Sequence, residues 1–475
     1  MLVIKLKDND YQGKSYKIFR NKELVLSFSA LDDVEKKLVC KALDSFNNVS
    51  LNELEARGAI LFPSKSIEKE LNDKDKTVLS VHNLETDMPI IKTSNVMGFF
   101  SHKNGVQFEI SSRFDEGEQQ FFLHYMLQKV CNVTPSIDLT KADSNSFYEF
   151  LVYLFPTFLK RALVQGLFRT YIKRNYNDSN IRGVIDFPRH FRYNIPFNGK
   201  VAYSTLEYSQ DNYVTQLIRH TIEYIAENQN LKSILSCNEE MKDSVKVVRG
   251  CTGRYTRDSR IFIVNKNLKM LSHPYYTDYE PLRKMCIMIL THDKISYSIS
   301  SDKLVNGILF DGASLWEEYL NKIFENYKEQ LGVKVEHPNN RVGTGKKYLF
   351  DPPRGLIYPD FIMRAKEKQH TVSICDAKYK PFDRRNVDNS DYFQILSYMY
   401  RFSCKSGILL YPCNNSDSPY ESLYLAEHDK TISLSVLGFE IPDYDNATTY
   451  QYYHDFMEDA ESKFIGSVEK AISKS

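Results

Sequence analysis

Two β-rich runs in the last quarter of the chain, residues 356–364 and 371–379, place the strongest constraint on its fold. A short, mostly polar stretch, 365–370, separates them, and this arrangement predicts an antiparallel hairpin. Side chains alternate between the two faces of a strand. One face of the second run therefore carries two apolar residues followed by three charged ones: Val372, Ile374, Asp376, Lys378 and Lys380. The predicted strand leads from an apolar anchor into a charged cluster.

The charged end of this hairpin contains Pro359-Asp360 on the first strand and Asp376-Ala377-Lys378 on the second. Two carboxylates on adjacent strands can share Mg²⁺, a hard cation that takes oxygen ligands, with Mn²⁺ as an expected substitute. We therefore predict that Asp360 and Asp376 bind the metal. Lys378 is predicted to be catalytic, because its charge can hold the attacking water or the phosphate as negative charge develops. The alternative is a solvated hairpin with a surface ion pair.

This order of residues resembles the PD-(D/E)xK nuclease signature. Acid-x-Lys triplets alone carry little weight, because three others occur in charged, helix-like stretches at 35–37, 240–242 and 461–463. None of those three follows a Pro-Asp strand. The resemblance implies a C-terminal α/β nuclease domain in which a mixed sheet is flanked by helices.

A further acidic ligand is predicted upstream, on a helix over residues 313–327. Its apolar stripe contains Trp316, Leu320, Ile323 and Tyr327. At about 100° per residue, Glu317 falls at the edge of this stripe, whereas Glu318 points nearly opposite. Glu317 is thus predicted to assist the metal site directly or through water. The alternative is that both glutamates only solvate the helix.

A downstream helix is predicted to begin near Asp391 and to place Gln394, Tyr398 and Arg401 on one face, because they follow i, i+4, i+7 spacing. Gln-x-x-x-Tyr at this position resembles an additional motif of RecB-like nucleases. Gln394 and Tyr398 are therefore second-rank candidates for the catalytic site.

The length of 475 residues predicts two or three domains, and 42% hydrophobic with 26% charged residues indicates a folded α+β protein. We divide the chain into a mixed α/β region (1–135), a mostly helical middle region (136–304) and the nuclease-like domain (305–475). The expected elements are a helix over about 145–174 with a kink or break at Pro156, a helix near 211–229, strands near 406–412, 420–426 and 431–440, and a helix from about 450.

Basic and aromatic residues alternate within the middle region, although the net charge of the whole chain is only +1. Cations can bind phosphates, and exposed aromatic rings can stack on bases. The predicted DNA-binding residues are Lys173, Arg174, Arg182, Arg189 and Arg192, together with Lys380 of the hairpin. The alternative is that this stretch caps helices and covers a core edge.

Several other classes of site are disfavoured by the sequence. Gly13-Lys14-Ser15 and Gly345-Lys346 lack the upstream glycine of a complete phosphate-binding loop, so no nucleotide is predicted to bind this chain. The eight cysteines form no C-x-x-C pair, which argues against a zinc site. No apolar run reaches the length of a membrane span, and no signal-peptide pattern opens the chain. A cytoplasmic location without membrane contact is expected.

The middle of the chain is similar to the McrC family in three segments, 181–190, 200–203 and 207–218, and similarity extends to Leu315–Tyr319 and to the hairpin motifs. The resemblance implies an endonuclease subunit that acts on double-stranded DNA. It also implies a partner, a McrB-like AAA+ GTPase hexameric ring, whose hydrolysis is stimulated by the amino-terminal part of the chain, making 1–135 the candidate contact. The alternatives are a stand-alone repair or mobile-element nuclease, and a non-catalytic adaptor that activates a GTPase and binds DNA.

Overall fold

A computed structural model of the protein describes residues 2–13, 15–21, 23–25, 27–57, 59–62, 77–84, 89–102, 104–115, 117, 120–131, 146–229, 231–291, 306–338, 347–366, 370–381, 387–414, 420–426, 431–444 and 448–473. The chain forms two compact units. The first contains Met1–Phe147 together with Ser296–Ser475, and the second contains Tyr148–Ile295.

The amino-terminal part of the first unit is mainly a sheet covered by helices. Its elements are β1 (Leu2–Lys7), β2 (Lys17–Arg20), β3 (Glu23–Val25), α1 (Asp33–Phe46), α2 (Leu51–Ala56), β4 (Ile60–Phe62), β5 (Leu79–His82), β6 (Ile90–Thr93), β7 (Val96–Ser101), β8 (Val106–Ser111) and α3 (Phe121–Cys131). Helix α1 begins with a capping box, in which Asp32 accepts from the Glu35 amide and the Glu35 side chain accepts from the Asp32 amide. Strands β5 and β6 form a separate antiparallel pair.

The second unit combines helices with a small antiparallel sheet. Its elements are α4 (Ser146–Val164), β9 (Thr170–Asp178), β10 (Val184–Ile185), α5 (Phe187–Tyr193), β11 (Val201–Ser209), α6 (Tyr213–Glu227), α7 (Glu239–Cys251), α8 (Arg260–Lys266) and α9 (Tyr279–Thr291). The sheet order is β10-β11-β9. The helix predicted near 211–229 is confirmed as α6, and Asn212 caps it by accepting from the Val214 and Thr215 amides.

One predicted element of this unit is wrong. The helix expected over 145–174 ends at Val164 even though Pro156 lies inside it, and residues 170–178 form strand β9 instead. Tyr171, Ile172 and Tyr176 favour a strand, and the pairing of β9 with the whole length of β11 stabilises it.

The carboxyl-terminal part of the first unit carries the candidate site. Its elements are β12 (Asn306–Asp311), α10 (Gly312–Asn326), α11 (Lys328–Leu331), β13 (Val333–Glu336), β14 (Lys347–Phe350), β15 (Arg354–Ile357), β16 (Phe361–Ala365), β17 (Thr371–Ala377), α12 (Asn389–Phe402), β18 (Ser406–Asn414), β19 (Tyr420–Tyr424), β20 (Ser433–Ile441) and α13 (Tyr450–Ile472). The three strands and the terminal helix predicted for this region are confirmed as β18, β19, β20 and α13.

A six-stranded sheet in the order β13-β16-β17-β18-β20-β19 organises this part of the unit. The sheet is mixed, because β17, β18 and β20 run parallel whereas the outer strands pair antiparallel. Ile374 and Val436 lie in one buried cluster with Ile395 of α12. On the opposite face, Phe439 packs against Trp316 of α10 and Phe464 of α13. The predicted mixed sheet flanked by helices is therefore present.

Strand β12 joins the two separated segments of the first unit. A seven-stranded sheet has the order β3-β2-β1-β8-β7-β12-β4, in which β12 is antiparallel to β7 and parallel to β4. Gly98 has a φ of +130°, and a Cβ added there would lie 2.2 Å from the Ile308 carbonyl oxygen, so the β7–β12 contact requires glycine. The domain boundaries predicted from the sequence lie near residues 135 and 304. These boundaries assign β7 and β12 to different domains, although the two strands pair in this sheet.

None of the helices in the ranges given above combines the length and hydrophobicity needed to cross a bilayer.

Candidate metal-binding and catalytic site

The β16–β17 hairpin brings Asp360 and Asp376 together. The strands are antiparallel, with Phe361 opposite Cys375 and Ile362 opposite Ile374. Asp360 and Asp376 occupy the next position outward, so their side chains share one face of the hairpin. The Asp360 Oδ2 atom accepts a hydrogen bond of 2.7 Å from the Ala377 amide, which fixes this carboxylate against the second strand.

Both carboxylates are costly to ionise in this position. Burial raises the pKa of Asp360 well above its usual range, and the charges of Glu317 and Asp376 raise it further. Burial also raises the pKa of Asp376, whose side chain is only 3% exposed, while Lys378 acts in the opposite direction. The hairpin thus holds two acids whose like charges repel each other.

Lys378 is tied to the carboxylates and to α12. Its Nζ atom lies 2.6 Å from Asp376 Oδ2 and donates a 2.6 Å hydrogen bond to Gln394 Oε1. Gln394 Nε2 in turn donates to the Tyr398 hydroxyl at 2.8 Å. Burial alone would lower the pKa of Lys378, but Asp376 and Asp391 raise it above its usual value. The lysine is therefore protonated at neutral pH and suited to stabilise negative charge, not to act as a base.

Glu317 lies on α10 at the edge of the same site. Its charge contributes to the raised pKa of Asp360, so the two carboxylates are electrostatically coupled. Glu317 Oε1 lies 3.6 Å from His337 Nε2, and Glu318 Oε1 lies 3.9 Å from the same atom. Both glutamates therefore meet His337, although the helical phase placed Glu318 on the opposite side of the helix.

His337 contributes to the site without having been predicted from the sequence. Its Nδ1 atom lies 2.8 Å from the Asp360 carbonyl oxygen, and its ring stacks on Phe361 with centroids 5.1 Å apart. Burial acts to lower the pKa of His337, but Glu318, Glu317 and the Asp360 carbonyl together raise it. No local sequence pattern marks this residue, because it follows β13 and reaches the site through the sheet.

Asp391 is a second residue that the sequence analysis did not assign to the site. It is buried in the first turn of α12, 3.4 Å from Lys378 Nζ and 3.0 Å from Lys380 Nζ, and it accepts a 3.2 Å hydrogen bond from Tyr411. Its i, i+3 spacing from Gln394 was an available signal. Lys380, predicted to contact DNA, is also 2.6 Å from Asp388 and therefore pairs with two carboxylates.

The basic residues predicted for DNA binding in the second unit fall into two groups. Arg174 and Arg189 support the local structure. Arg174 donates to the Asp211 carbonyl at 2.8 Å, and Arg189 donates to the Tyr203 and Tyr176 carbonyls at 3.5 Å and 3.4 Å. These three hydrogen bonds match the alternative in which the stretch covers a core edge.

Lys173, Arg182 and Arg192 are exposed. Arg182 lies over the Tyr176 ring, 5.1 Å from its centroid, and Arg192 lies near the Tyr193 ring. These three side chains can reach a solvent-borne ligand.

The donor set at the hairpin suits a hard divalent cation. Within the described ranges, no three His, Cys, Asp or Glu side chains are grouped as a ready-made metal site. Mg²⁺ does not require such a cage, because one or two carboxylates, waters and substrate phosphates commonly complete its shell. Repulsion among Asp360, Asp376 and Glu317 would be relieved by a bound cation. The residues present therefore fit Mg²⁺.

The fold and the site define an α+β protein whose mixed sheet carries an acid–lysine cluster between two helices. The family model described as McrBC 5-methylcytosine restriction system component matches residues 91–412. Because this match covers more than half of the chain, the protein belongs to that family. None of the curated proteins matches the chain.

One solved structure is similar in fold over nearly the whole chain. The refined half-complex from the tetradecameric assembly of Thermococcus gammatolerans McrB AAA+ hexamers with bound McrC contains a chain that is 14% identical, with a TM-score of 0.51. That match covers 98% of this chain and 99% of the other. The cryo-EM structure of the Thermococcus gammatolerans McrBC complex matches at 14% identity and a TM-score of 0.32, over 69% of this chain and 88% of the other.

Proposed function

We propose that this chain is the Mg²⁺-dependent endonuclease subunit of a McrBC-like, GTP-dependent restriction complex. It would cleave the phosphodiester bonds of double-stranded DNA in the cytoplasm with a PD-(D/E)xK-type site. The observation that carries this proposal is the cluster formed by Asp360, Asp376 and Lys378 with Glu317 at its edge. These residues have the chemistry that the reaction needs, and the family membership supplies the biological setting.

Each residue of the cluster has a distinct role in the proposed reaction. Asp360 and Asp376 would hold Mg²⁺, with Glu317 as a direct or water-mediated ligand, and Mn²⁺ as a substitute. A bound ion of this kind supplies Lewis-acid charge at the scissile phosphate and lowers the pKa of a coordinated water. Lys378, kept protonated by its neighbours, would stabilise the charge that develops on the phosphate.

Gln394 and Tyr398 act on Lys378 in this scheme. Gln394 accepts from the Lys378 ammonium and donates to Tyr398, so the three side chains form a line of hydrogen bonds. The line restricts the rotamers of Lys378 and directs its ammonium towards Asp376. Preorganisation of this kind lowers the cost of reorganising the site during the reaction. Lys173, Arg182 and Arg192 remain the candidates in the second unit for contacts with the DNA backbone.

The proposal includes a McrB-like AAA+ GTPase hexameric ring as partner. The Thermococcus gammatolerans assembly of McrB AAA+ hexamers with bound McrC contains a chain to which this chain is similar over nearly its full length. The sequence contains no complete phosphate-binding loop, so the ring, not this chain, would bind and hydrolyse GTP. Residues 1–135 are proposed as the contact that stimulates hydrolysis.

The two alternatives, a non-catalytic adaptor and a stand-alone nuclease, account for fewer of these observations than the restriction complex does. A non-catalytic adaptor would have no use for carboxylates whose pKa values are raised by burial and mutual repulsion, since such groups cost stability. A stand-alone repair or mobile-element nuclease could use the same site. However, membership of a restriction-system family favours the restriction complex.

Cleavage of plasmid DNA by the chain, mixed with a McrB-like ring from the same source, GTP and Mg²⁺, tests the proposal. Asp376→Asn and Lys378→Gln should each reduce cleavage by at least about 10²-fold, because each removes charge needed in the transition state. Both variants should still raise GTP turnover by the ring, which serves as the control for folding and assembly. Cleavage by either variant at the wild-type rate would refute the catalytic assignment. Rapid GTP hydrolysis by the isolated chain would refute the division of labour.

A further inference from the structure

A basic pocket lies at the turn end of the β16–β17 hairpin, away from Asp360 and Asp376. Its volume is about 460 Å³. Basic side chains and hydroxyls line it: Lys347, Arg364, His370, Arg401, Thr371 and Ser403. No carboxylate is among the lining residues that the structure describes.

We propose that this pocket binds a backbone phosphate of DNA, outside the catalytic cluster. The inference rests on the proposed function, because it assigns a second contact to the same substrate. Phosphate contacts fix the register of a protein on a duplex without reading its sequence. The pocket would thus orient the DNA with respect to the hairpin.

The charge balance of the pocket favours an anion. Arg364 is neutralised in part by the Glu336 carboxylate, to which its Nε donates at 2.9 Å. Its Nη1 also donates to Thr371 Oγ1 at 3.3 Å. Among the described residues, neither Lys347 nor Arg401 forms an ion pair with a carboxylate. Two positive charges, those of Lys347 and Arg401, therefore face the pocket without a carboxylate partner among the residues that the structure describes.

Arg401 is also held in position by its surroundings. Its Nε donates a 2.6 Å hydrogen bond to the Tyr348 carbonyl, which ties α12 to strand β14. In the part of the chain that the structure describes, its two terminal nitrogens donate to no protein group. A fixed guanidinium with two donors available matches the geometry of phosphate oxygens.

The pocket and the catalytic cluster are connected by one helix and one strand. Gln394 and Arg401 are seven residues apart on α12, so they share a face and differ in height by about 10 Å. Thr371 and Asp376 are five residues apart on β17, or about 17 Å. Phosphates of one strand repeat every 3.4 Å along a duplex axis. The separation thus corresponds to about three to five nucleotide steps.

The test compares two doubly substituted full-length chains with the same change of charge. Lys347→Gln/Arg401→Gln removes these two positive charges of the pocket. Lys322→Gln/Lys366→Gln is the control, because the half-buried Lys322 and the exposed Lys366 pair with Glu325 and Glu329 and do not line the pocket. Binding of a fluorescein-labelled 30-base-pair duplex is followed by anisotropy in EDTA, over a range of salt concentrations. Far-ultraviolet circular dichroism and thermal melting of each chain verify folding.

The pocket variant should bind the duplex about tenfold more weakly at low salt. Its plot of log K against log salt should be less steep by about one to two, since each phosphate contact contributes nearly one to this slope. The control variant should match the wild type. If the wild-type chain binds and cleaves DNA and both variants bind the duplex as tightly as the wild type, the pocket is not a phosphate-binding site. The proposed function is then unaffected.

Two further outcomes separate the sources of phosphate. Calorimetric titration of each chain with inorganic phosphate measures whether the pocket binds a free anion. If phosphate binding is lost in the pocket variant while duplex binding is unchanged, the pocket takes a free anion and the proposal is wrong. Failure of the wild-type chain, alone and with its ring, to bind the duplex overturns both this inference and the proposed function.

Discussion

The Tyr379 hydroxyl lies 2.7 Å from the Ser112 hydroxyl, although the two residues are 267 positions apart in the sequence. Tyr379 directly follows Lys378, so this contact fixes the acid–lysine end of the hairpin to the amino-terminal segment. The Tyr379 ring packs against Phe114 at 5.1 Å, and Arg113 lies 4.9 Å from its centroid. A Cβ added to Gly312 would lie 2.7 Å from the same ring. The candidate site is therefore supported by residues from both segments of the first unit.

Substitution of Tyr379 should affect stability and cleavage in different proportions. Tyr379→Phe removes the buried hydroxyl that contacts Ser112 and Met97 and should lower the free energy of unfolding by about 1 kcal/mol, with little change in cleavage. Tyr379→Ala also leaves a cavity and should cost about 3–5 kcal/mol. Cleavage should then fall as well, because Lys378 loses its support. Urea unfolding and cleavage assays on both variants check this. Similar stability of the two variants would show that the ring does not anchor the hairpin.

Because the amino-terminal segment supports the hairpin, its deletion is a poor test of whether residues 1–135 stimulate a GTPase. Removal of residues 1–135 would take away β7, which pairs with β12, and α3, which contacts Tyr319 of α10 through Tyr125. Such a truncation would damage the nuclease-like part as well as any contact with a ring. Point substitutions on exposed residues of this region are the cleaner test of GTPase stimulation.

The buried carboxyl of Asp115 makes the free energy of unfolding depend on pH. Burial raises the pKa of Asp115 from 3.8 to about 6, although Lys7 and the Tyr444 hydroxyl act in the opposite direction. A carboxyl whose pKa is higher in the folded than in the unfolded state contributes its full stabilisation at pH values below the unfolded-state pKa. This contribution is lost as the pH rises through about 6. The free energy of unfolding should therefore fall between pH 4 and pH 6.

Asp115→Asn should reduce this fall by on the order of 1–3 kcal/mol, because one pKa unit corresponds to about 1.4 kcal/mol. Some dependence should remain, since burial raises the pKa of Asp8 to about 6 as well. Urea unfolding of the wild type and the variant at several pH values from 4 to 7.5 measures the difference. Parallel curves for the two proteins would contradict the assignment to Asp115.

The parts of the fold that are set by local pattern could be predicted from the sequence. Alternation along 371–379 gave the hairpin and its charged end, and helical spacing gave α6 and α12. The strand at 170–178 was missed, because an apolar helix precedes it and only pairing with β11 reveals it. The shared sheet of β7 and β12 and the contact of Tyr379 with Ser112 depend on long-range packing. No local pattern encodes them.

The candidate site shows the same division. Asp360, Asp376, Lys378 and Gln394 were predicted from motif order, and the structure places them in one cluster. Asp391 could have been found from its spacing to Gln394, whereas His337 reaches the site from a strand end without any periodic signal. Helical phase alone did not anticipate that Glu318 also meets His337, because a long side chain can bend around the helix surface.

Glu317 and Glu318 should still differ in function. Glu317 contributes to the raised pKa of Asp360, whereas Glu318 is not among the main causes of that shift. Glu317→Gln should lower cleavage by about 10-fold or more and raise the Mg²⁺ concentration needed for half-maximal rate, since a carboxylate of the proposed metal site is lost. Glu318→Gln should change both quantities by less than about threefold, because it removes one contact to His337 and no charge facing Asp360. Equal effects in a titration of Mg²⁺ would show that the two residues act alike through His337.

Asp360 and Asp391 should respond to the same chemical change with opposite effects on stability. Asp360 faces the like charges of Glu317 and Asp376, so Asp360→Asn removes repulsion and should raise the free energy of unfolding at pH 7.5. The gain should be on the order of 1 kcal/mol at most, because the Ala377 amide and the Lys378 charge already offset part of the repulsion. An asparagine oxygen can still accept from the Ala377 amide.

Asp391 instead lies between two lysines and accepts from Tyr411. Asp391→Asn should therefore lower the free energy of unfolding by about 1–3 kcal/mol, since hydrogen bonds to a charged group are lost in a buried position. Both variants should cleave DNA poorly if the proposed function is right. The first would lose a proposed metal ligand, and in the second Lys378 would lose a contact that positions it. Thermal and urea unfolding in EDTA, with cleavage measured in parallel, separates the two effects. If both substitutions destabilise the protein equally, repulsion at Asp360 is not a feature of the folded site.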